Sequence, residues 1–214
     1  GLIEAFHARG VPVGQVYGCT ETAPIATCLR AEQASDHIGS VGLPARHCEV
    51  RVVDDDGRDV AAGERGGIWV RGANVMREYW NDPEASAAAF SDGWFRTGDI
   101  AERGGDGFLS VVDRKRDMII SGSENIYPAE IERVLADAPA ISAVAVVGRA
   151  DERWGEVAVA VVVRRDADLD ESGVLALLDG RLARYKHPHD VIFVDSLPRN
   201  AMGKVEKHVL RGMV

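Results

Sequence analysis

The chain of 214 residues predicts an α/β limb, then a β subdomain, then an α+β domain, from three successive textures. Apolar residues at helical spacing open the chain and lead at once into a short apolar strand. Between residues 39 and 112, brief β-rich runs alternate with turn clusters. Beyond the basic triplet Arg114-Lys115-Arg116, strands and helices alternate to the end.

Each element follows from its residues. LIEAFHAR (2–9) has helical periodicity and stops at Gly10, a good helix terminator. VPVGQVYG reads as a strand buried on both faces, ending in a glycine turn. Helix, tight loop and apolar strand make one limb of a parallel layer, whose neighbouring strands are not evident in the sequence. CEVRVVD, GGIWVRG and GFLSVVD, separated by DDDG and GGDG, suit antiparallel hairpins, with a small barrel as one form. PEASAAAF interrupts them as a helix with Pro83 in its first position. Then DMIIS is a strand, Pro128 opens the helix AEIERVLAD, and AVAVVGR and EVAVAVVVR are strands. A helix runs through VLALLDGRLAR, VIFVD is a strand, and a last helix follows Gly203.

Composition excludes several classes. Apolar residues at 46% and charged residues at 28% rule out disorder, collagen and coiled coil. The longest apolar runs, such as Val157 to Val163, are too short to span a bilayer, so no transmembrane segment is expected. With 34 acidic against 25 basic residues the net charge is −9, which argues against a nucleic-acid partner. Cys19, Cys28 and Cys48 are odd in number and form no CxxC, against a disulfide framework or a zinc site; a cytoplasmic location fits. Charge is uneven: residues 117–180 carry a net −8, residues 181–214 a net +4 plus His187, His189 and His208. That basic stretch is either a solvated helix face, where His208 belongs, or a local site for an anionic small molecule. Because Leu2 to Arg9 already read as the body of a helix, the chain is expected to be a fragment opening in mid-structure. A truncated apolar strand there makes self-association possible.

Four segments carry chemistry. Tyr17-Gly18-Cys19-Thr20-Glu21 follows the first strand, where α/β sheets place ligands. It offers a stacking ring, a close-approach glycine, a hydroxyl for a phosphate oxygen and a hard carboxylate ligand for Mg²⁺. Gly93-Trp94-Phe95-Arg96-Thr97-Gly98-Asp99 presents a carboxylate able to accept both hydroxyls of a ribose, or else a solvated hairpin turn. The third segment runs from Asp113 through ISGSENIYPAEIE, and the fourth is Pro198-Arg199-Asn200-Ala201-Met202-Gly203-Lys204.

Together and in this order, the four segments resemble the adenylate-forming superfamily, and their wording is most similar to AMP-forming acyl-CoA ligases of the fatty-acid and aryl-acid type. The resemblance implies that residues 1–115 are the last part of a large domain (1–38 the α/β limb, 39–112 the β subdomain). Residues 116–214 are then a complete small mobile α+β domain hinged at Arg116, where the family usually has Asp or Lys. It implies ATP, Mg²⁺ and CoA acting on a small-molecule carboxylic acid, and an inactive fragment if nothing precedes it. Tyr17, with Gly18 beside it, would stack on adenine, Thr20 would touch the α-phosphate and Glu21 would hold Mg²⁺. Asp99 and Arg114 would bind the ribose, and Lys204 would bridge the carboxylate and the α-phosphate. Gly122 and Ser123 would line the pantetheine tunnel, where the family commonly has two glycines. Trp154, Tyr185, Lys186, His187 and His189 would contact CoA, although relatives often have Arg or Lys at the two histidine positions and Trp154 alternatively caps the sheet. The rival readings are an adenylation domain loading a carrier protein, a luciferase-type oxygenase, and a non-catalytic nucleotide- or CoA-binding module.

Overall fold

In the computed structural model, which describes residues 2–214, the chain divides into two units, one ending at Lys115 and one spanning Arg116–Val214. The first opens on α1 (Leu2–His7), and Gly10 follows it with φ 73°, a left-handed conformation that glycine adopts without cost. Strand β1 (Gln15–Tyr17) pairs antiparallel with β2 (Thr27–Leu29), which pairs with β3 (Leu43–Pro44).

The strand expected to be buried on both faces is different in fact. It is only three residues long, and Val16 is 58% exposed. Pro12 has no amide to pair, and β1 lies at the edge of its sheet, so its alternation turns Tyr17 inward and Val16 outward. The expected parallel neighbours are not among the described residues.

The rest of this unit is a five-stranded antiparallel sheet of β4 (Cys48–Val53), β5 (Arg65–Gly72), β6 (Phe90–Ser91), β7 (Trp94–Arg103) and β8 (Leu109–Arg114), in the order β4-β5-β7, with β6 and β8 both on β7. Alternate residues of β5, Ile68 and Val70, meet Val52, Ala101 and Leu109 in one core. The sheet is open rather than a barrel, because the edge strand β4 pairs only with β5 and no pairing closes the ring among the described residues. Helix α2 (Pro83–Ala89) starts on its proline, and the Asp82 carboxylate accepts the Ala85 amide at 2.9 Å. The β7–β8 register sets Asp99 directly opposite Arg114.

The second unit is built on β11 (Ile141–Asp151) and β12 (Gly155–Arg164), a long antiparallel pair. A hairpin of β9 (Ile119–Ser121) and β10 (Glu124–Ile126) continues the sheet beyond β12, and β13 (Asp190–Phe193) runs parallel to β12. Val146 faces Ile131 and Leu135 of α3 (Pro128–Ala136) and Val174 of α4 (Glu171–Ala176). Its neighbours Ala145 and Val147 face Leu197 and Leu210, the latter on α5 (Lys207–Arg211). Both faces are covered, so Val157–Val162 is buried without alternation.

One helix is shorter than its sequence predicts. The run VLALLDGRLAR is helical only to Ala176, within α4, whose start is capped by Asp170 accepting the Gly173 amide at 2.7 Å. Beyond it the amides of Leu178 and Arg181 bond three residues back, and Gly180 adopts φ 71°. Buried Leu178 holds this turn on the core, so packing outweighs helical periodicity. No described helix is long and apolar enough to cross a membrane.

Because the two clusters on the β11–β12 sheet draw only on residues beyond Arg116, a polypeptide of residues 116–214 is expected to unfold in one cooperative transition. Calorimetry showing no transition for it, while the 214-residue chain melts cooperatively, would contradict this.

Candidate functional sites in the two units

In the first unit the loop after β1 is held by its own backbone. The Thr22 hydroxyl is fully buried, accepts the Cys19 amide at 3.0 Å and donates to the Cys19 carbonyl at 3.1 Å. Asn74 donates to the carbonyls of Thr22 (2.9 Å) and Ile25 (3.0 Å), and the Met76 amide donates to the Glu21 carbonyl at 2.8 Å. Gly18 permits the fold of the loop: a Cβ there would sit 1.8 Å from the Pro24 carbonyl oxygen. Thr20 begins a short 3-10 turn (Thr20–Thr22) and is exposed, its hydroxyl without a partner among the described residues.

Glu21 is half-buried, and its carboxylate accepts the Tyr79 hydroxyl at 2.9 Å. A bond from its own backbone amide, helped by Tyr79 and the charge of Arg114, holds its carboxyl below the usual carboxylate range against the effect of burial. Burial, then the bond to Glu21, pushes the Tyr79 phenol up to about 12. Tyr79 went unseen in the sequence, where nothing in REYWND marks it as a partner of a residue 58 positions away.

The Tyr17 hydroxyl donates to Asp99 Oδ2 at 2.7 Å. Burial, then that carboxylate, raises its phenol far out of the working range, so Tyr17 is a permanent donor. Asp99 is 18% exposed; Arg114 Nε lies 3.5 Å from Oδ1, and the Thr97 hydroxyl accepts the Asp99 amide at 3.1 Å. A stacking ring, a carboxylate and a guanidinium are thereby gathered from β1, β7 and β8. Beside Asp99 is a cleft of about 100 Å³, reached also by Asp54, Trp69, Arg96 and Lys115. Among the described residues, no three His, Cys, Asp or Glu side chains converge to hold a metal ion. Glu21 offers a single ionised carboxylate.

The second unit holds a cavity of about 750 Å³, with Ser123, Trp154, Tyr185, His187 and His189 in its wall. Gly122 lies behind it: its amide donates to the Trp154 carbonyl at 2.7 Å, and a Cβ on it would approach the Trp154 ring to 3.2 Å. The close approach therefore belongs to Gly122, in the left-handed region at φ 62°, while Ser123 is exposed and its side chain is accommodated. Trp154 sits on the β11–β12 turn, its amide held by Asp151 Oδ1 at 2.8 Å, and is 44% exposed. His187 Nε2 lies 3.3 Å from the Leu182 carbonyl, and His189 Nδ1 lies 3.3 Å from Asp190 Oδ2. Lys186 is not in the wall; its ammonium pairs with Glu130 at 2.5 Å, both side chains about five-sixths covered. Arg184 is in the wall and was not singled out from the sequence, where it reads as the end of a helix.

Lys204 lies on a tight loop. Asn200 Oδ1 accepts the amides of Met202 and Lys204, each at 3.0 Å, and Gly203 turns at φ 79°. The Lys204 side chain is exposed and has no ion-pair partner among the described residues. Arg116 is exposed at the start of the second unit, and its carbonyl accepts Arg211 Nη2 at 3.3 Å. Of the three cysteines Cys48 is buried, and all three are free.

Residues 1–80 match the family described as AMP-binding enzyme, and residues 130–204 match the AMP-binding enzyme C-terminal domain. An indoleacetate–CoA ligase of Aromatoleum aromaticum is 57% identical over 214 residues, which is 100% of this chain and 42% of that protein. A feruloyl-CoA synthase of an Amycolatopsis species is 48% identical, over 98% of this chain and 43% of that protein. The structure of o-succinylbenzoate CoA synthetase from Bacillus subtilis with its acyl-adenylate intermediate superposes with a TM-score of 0.92 at 40% identity, covering 98% of this chain and 43% of that one. The same synthetase with ATP and a magnesium ion gives a TM-score of 0.89 at 40% identity, covering 99% of this chain and 43% of that one. The chain thus spans about two fifths of the length of the curated relatives it matches. One family model falls within each unit and the two together cover most of the chain, so the chain belongs to the AMP-binding enzymes.

Proposed function

We propose that this chain is the C-terminal portion of an ATP-dependent, AMP-forming acyl-CoA ligase that activates a carboxylic acid as its acyl-adenylate and transfers the acyl group to CoA. The observation that carries the reading is the 2.7 Å bond from Tyr17 to Asp99, with Arg114 on the other carboxylate oxygen. A purine stacked on the Tyr17 ring would have its ribose beside the carboxylate that the same tyrosine orients. Arg114 lies against Asp99 and adds donors at the sugar. Thr20, with its unpartnered hydroxyl, is the donor to the α-phosphate.

Glu21 fits a hard divalent cation as one ligand among phosphate oxygens and waters, the mode in which Mg²⁺ is usually held beside nucleotides. When bound, that cation neutralises the triphosphate and its diphosphate leaving group. Lys204 supplies the remaining positive charge. As the carboxylate oxygen attacks the α-phosphorus and diphosphate departs, negative charge gathers where a long, mobile ammonium can reach it. In the second step the CoA sulfur attacks the acyl carbonyl, the thiol proton passes to solvent and AMP leaves. The cavity at Trp154, Tyr185, His187 and His189 is proposed to hold the CoA nucleotide, with Gly122 and Ser123 beside the thiol arm and Lys186 buttressing the wall through Glu130. Arg116, exposed at the unit boundary, is proposed as the hinge that exchanges the two half-reactions. Such an enzyme works in the cytoplasm, whose reducing poise suits three free cysteines.

In the ligase that contains this chain, Lys204→Ala is expected to slow acid-dependent exchange between ATP and diphosphate by about 10²–10³, the size of a lost transition-state charge contact. Thioester formation from pre-made acyl-adenylate should fall only a few-fold. Equal losses in both assays would make Lys204 structural.

Glu21 gives a pH prediction. Its folded carboxyl is depressed, so the stabilisation of its ionised form is complete above the ordinary carboxylate value and is lost as pH falls through the depressed one. Tyr79→Phe removes one donor and should move the acid limb of the adenylation rate to higher pH. A limb that stays in place in this variant would separate Glu21 from the reaction.

Exposed Leu2, Phe6, Val11 and Val16, with the open edge of β1, make self-association of the 214-residue chain the expected state. Light scattering should report a mass that rises with concentration and falls in Val16→Glu; a constant monomer mass would refute it.

A further inference from the structure

We infer that Arg184 is the residue that recognises the 3′-phosphate of CoA in the cavity of the second unit, a role that neither the motifs nor the family resemblance assigns to it. Arg184 takes this role only if the cavity is a CoA site, as proposed above.

CoA carries a phosphomonoester on the ribose of its adenosine, so a wall that stacks the base must meet that charge close by. The aromatic surfaces of the wall are Trp154 and Tyr185, 44% and 49% exposed, as stacking platforms are. Around them the possible cations are few. Lys186 is consumed by Glu130 and lies outside the wall. His187 directs Nε2 at the Leu182 carbonyl, and His189 lies against Asp190, whose carboxylate also pairs with Arg149.

Arg184 is the only permanent cation among the described wall residues. It precedes Tyr185 in one 3-10 turn, Arg184–Lys186, so the guanidinium and the ring share a rigid backbone segment. Its side chain is 90% exposed, and its one ion-pair contact is Nη1 to Asp179 Oδ1 at 3.8 Å, with Asp179 itself 62% exposed. A pair so long and so solvated is worth little and leaves most of the five guanidinium donors available. The wall also carries the Glu124 carboxylate, which repels an anion from its own part of the rim, whereas Asp179, the exposed partner of Arg184, is displaced when a phosphate takes the guanidinium. A fork of donors beside a phosphate is the geometry that arginine serves best.

The test is calorimetric binding of CoA and of 3′-dephospho-CoA to the 214-residue chain, native and Arg184→Gln. The native chain is expected to prefer CoA roughly tenfold, the value of one solvent-exposed charge-assisted contact, and the preference should shrink as salt is raised. Arg184→Gln should abolish that preference while dephospho-CoA binds within twofold of native, and Arg184→Lys should restore part of it. Discrimination undiminished in Arg184→Gln, or lost instead in Arg153→Gln, whose guanidinium lies 4.8 Å over Trp154, would overturn the role of Arg184 and leave the CoA site standing. Failure of the native chain to bind either compound would overturn the CoA site itself, and Arg184's role with it.

Discussion

The first unit depends on one buried-edge hydrogen bond, from the Tyr17 hydroxyl to Asp99. It joins residues 82 positions apart, on two different sheets, and it fixes both partners at once. A carboxylate only 18% exposed needs its lone pairs satisfied, and Tyr17 and Arg114 do so, while the Asp99 amide donates to the Thr97 hydroxyl. Tyr17 in turn is the last residue of a three-residue edge strand that would otherwise have little to hold it. The rest of the loop follows. The Ala26 amide bonds the Tyr17 carbonyl at 2.8 Å, Thr22 closes the turn, and Asn74 and Tyr79 reach in from the segment after β5 to grip it.

The second unit solves a different problem. Its site is a large wall with little charge, and it stands on a sheet buried on both faces. β12 offers Ala158, Ala160 and Val162 to one core and Val161 to the other, so the hairpin that carries Trp154 extends from a strand packed on both faces. The short 3-10 turn bearing Tyr185 is tied back to α3 by the Lys186–Glu130 pair, which is largely covered. Removing one partner of such a pair would leave a covered charge unmet, so it maintains the spacing between that turn and the helix.

What the sequence made legible follows a physical rule. Elements whose residues act locally could be read directly: Pro83 and Pro128 at helix starts, the hairpin glycines, and the continuous apolar run of β12. Segments decided by distant partners could not. VPVGQVYG is apolar enough for a buried strand, yet Val16 faces outward because the sheet ends there. VLALLDGRLAR has a helical pattern, yet Gly180 and the burial of Leu178 turn it into tighter loops after Ala176. The candidate sites divide the same way. Tyr17, Asp99 and Arg114 stood in motifs and do meet; Tyr79 and Arg184 stood in none, since a partner 58 residues away or a place in a cavity wall leaves no local signature.

Charge in an acidic protein must be placed with care if the ligands are polyanions. With a net charge of −9 the long-range field repels polyanions, so attraction has to come from a few cations left available. Several cations of the second unit are spent on structure: Lys186 on Glu130, Lys207 on Glu132 at 2.7 Å, and Arg211 on Asp117 at 2.7 Å. The acidic partners are themselves well covered, so these pairs neutralise carboxylates that folding removes from water. Two cations at the candidate sites are not spent in this way. Lys204 is exposed and unpaired among the described residues, and Arg184 keeps only a long contact to an exposed Asp179. One stands on a glycine-preceded loop suited to following a reacting phosphate, the other on a fixed turn beside a stacking ring. A mobile ammonium matches charge that appears during a reaction, and an anchored guanidinium matches charge that is present throughout binding.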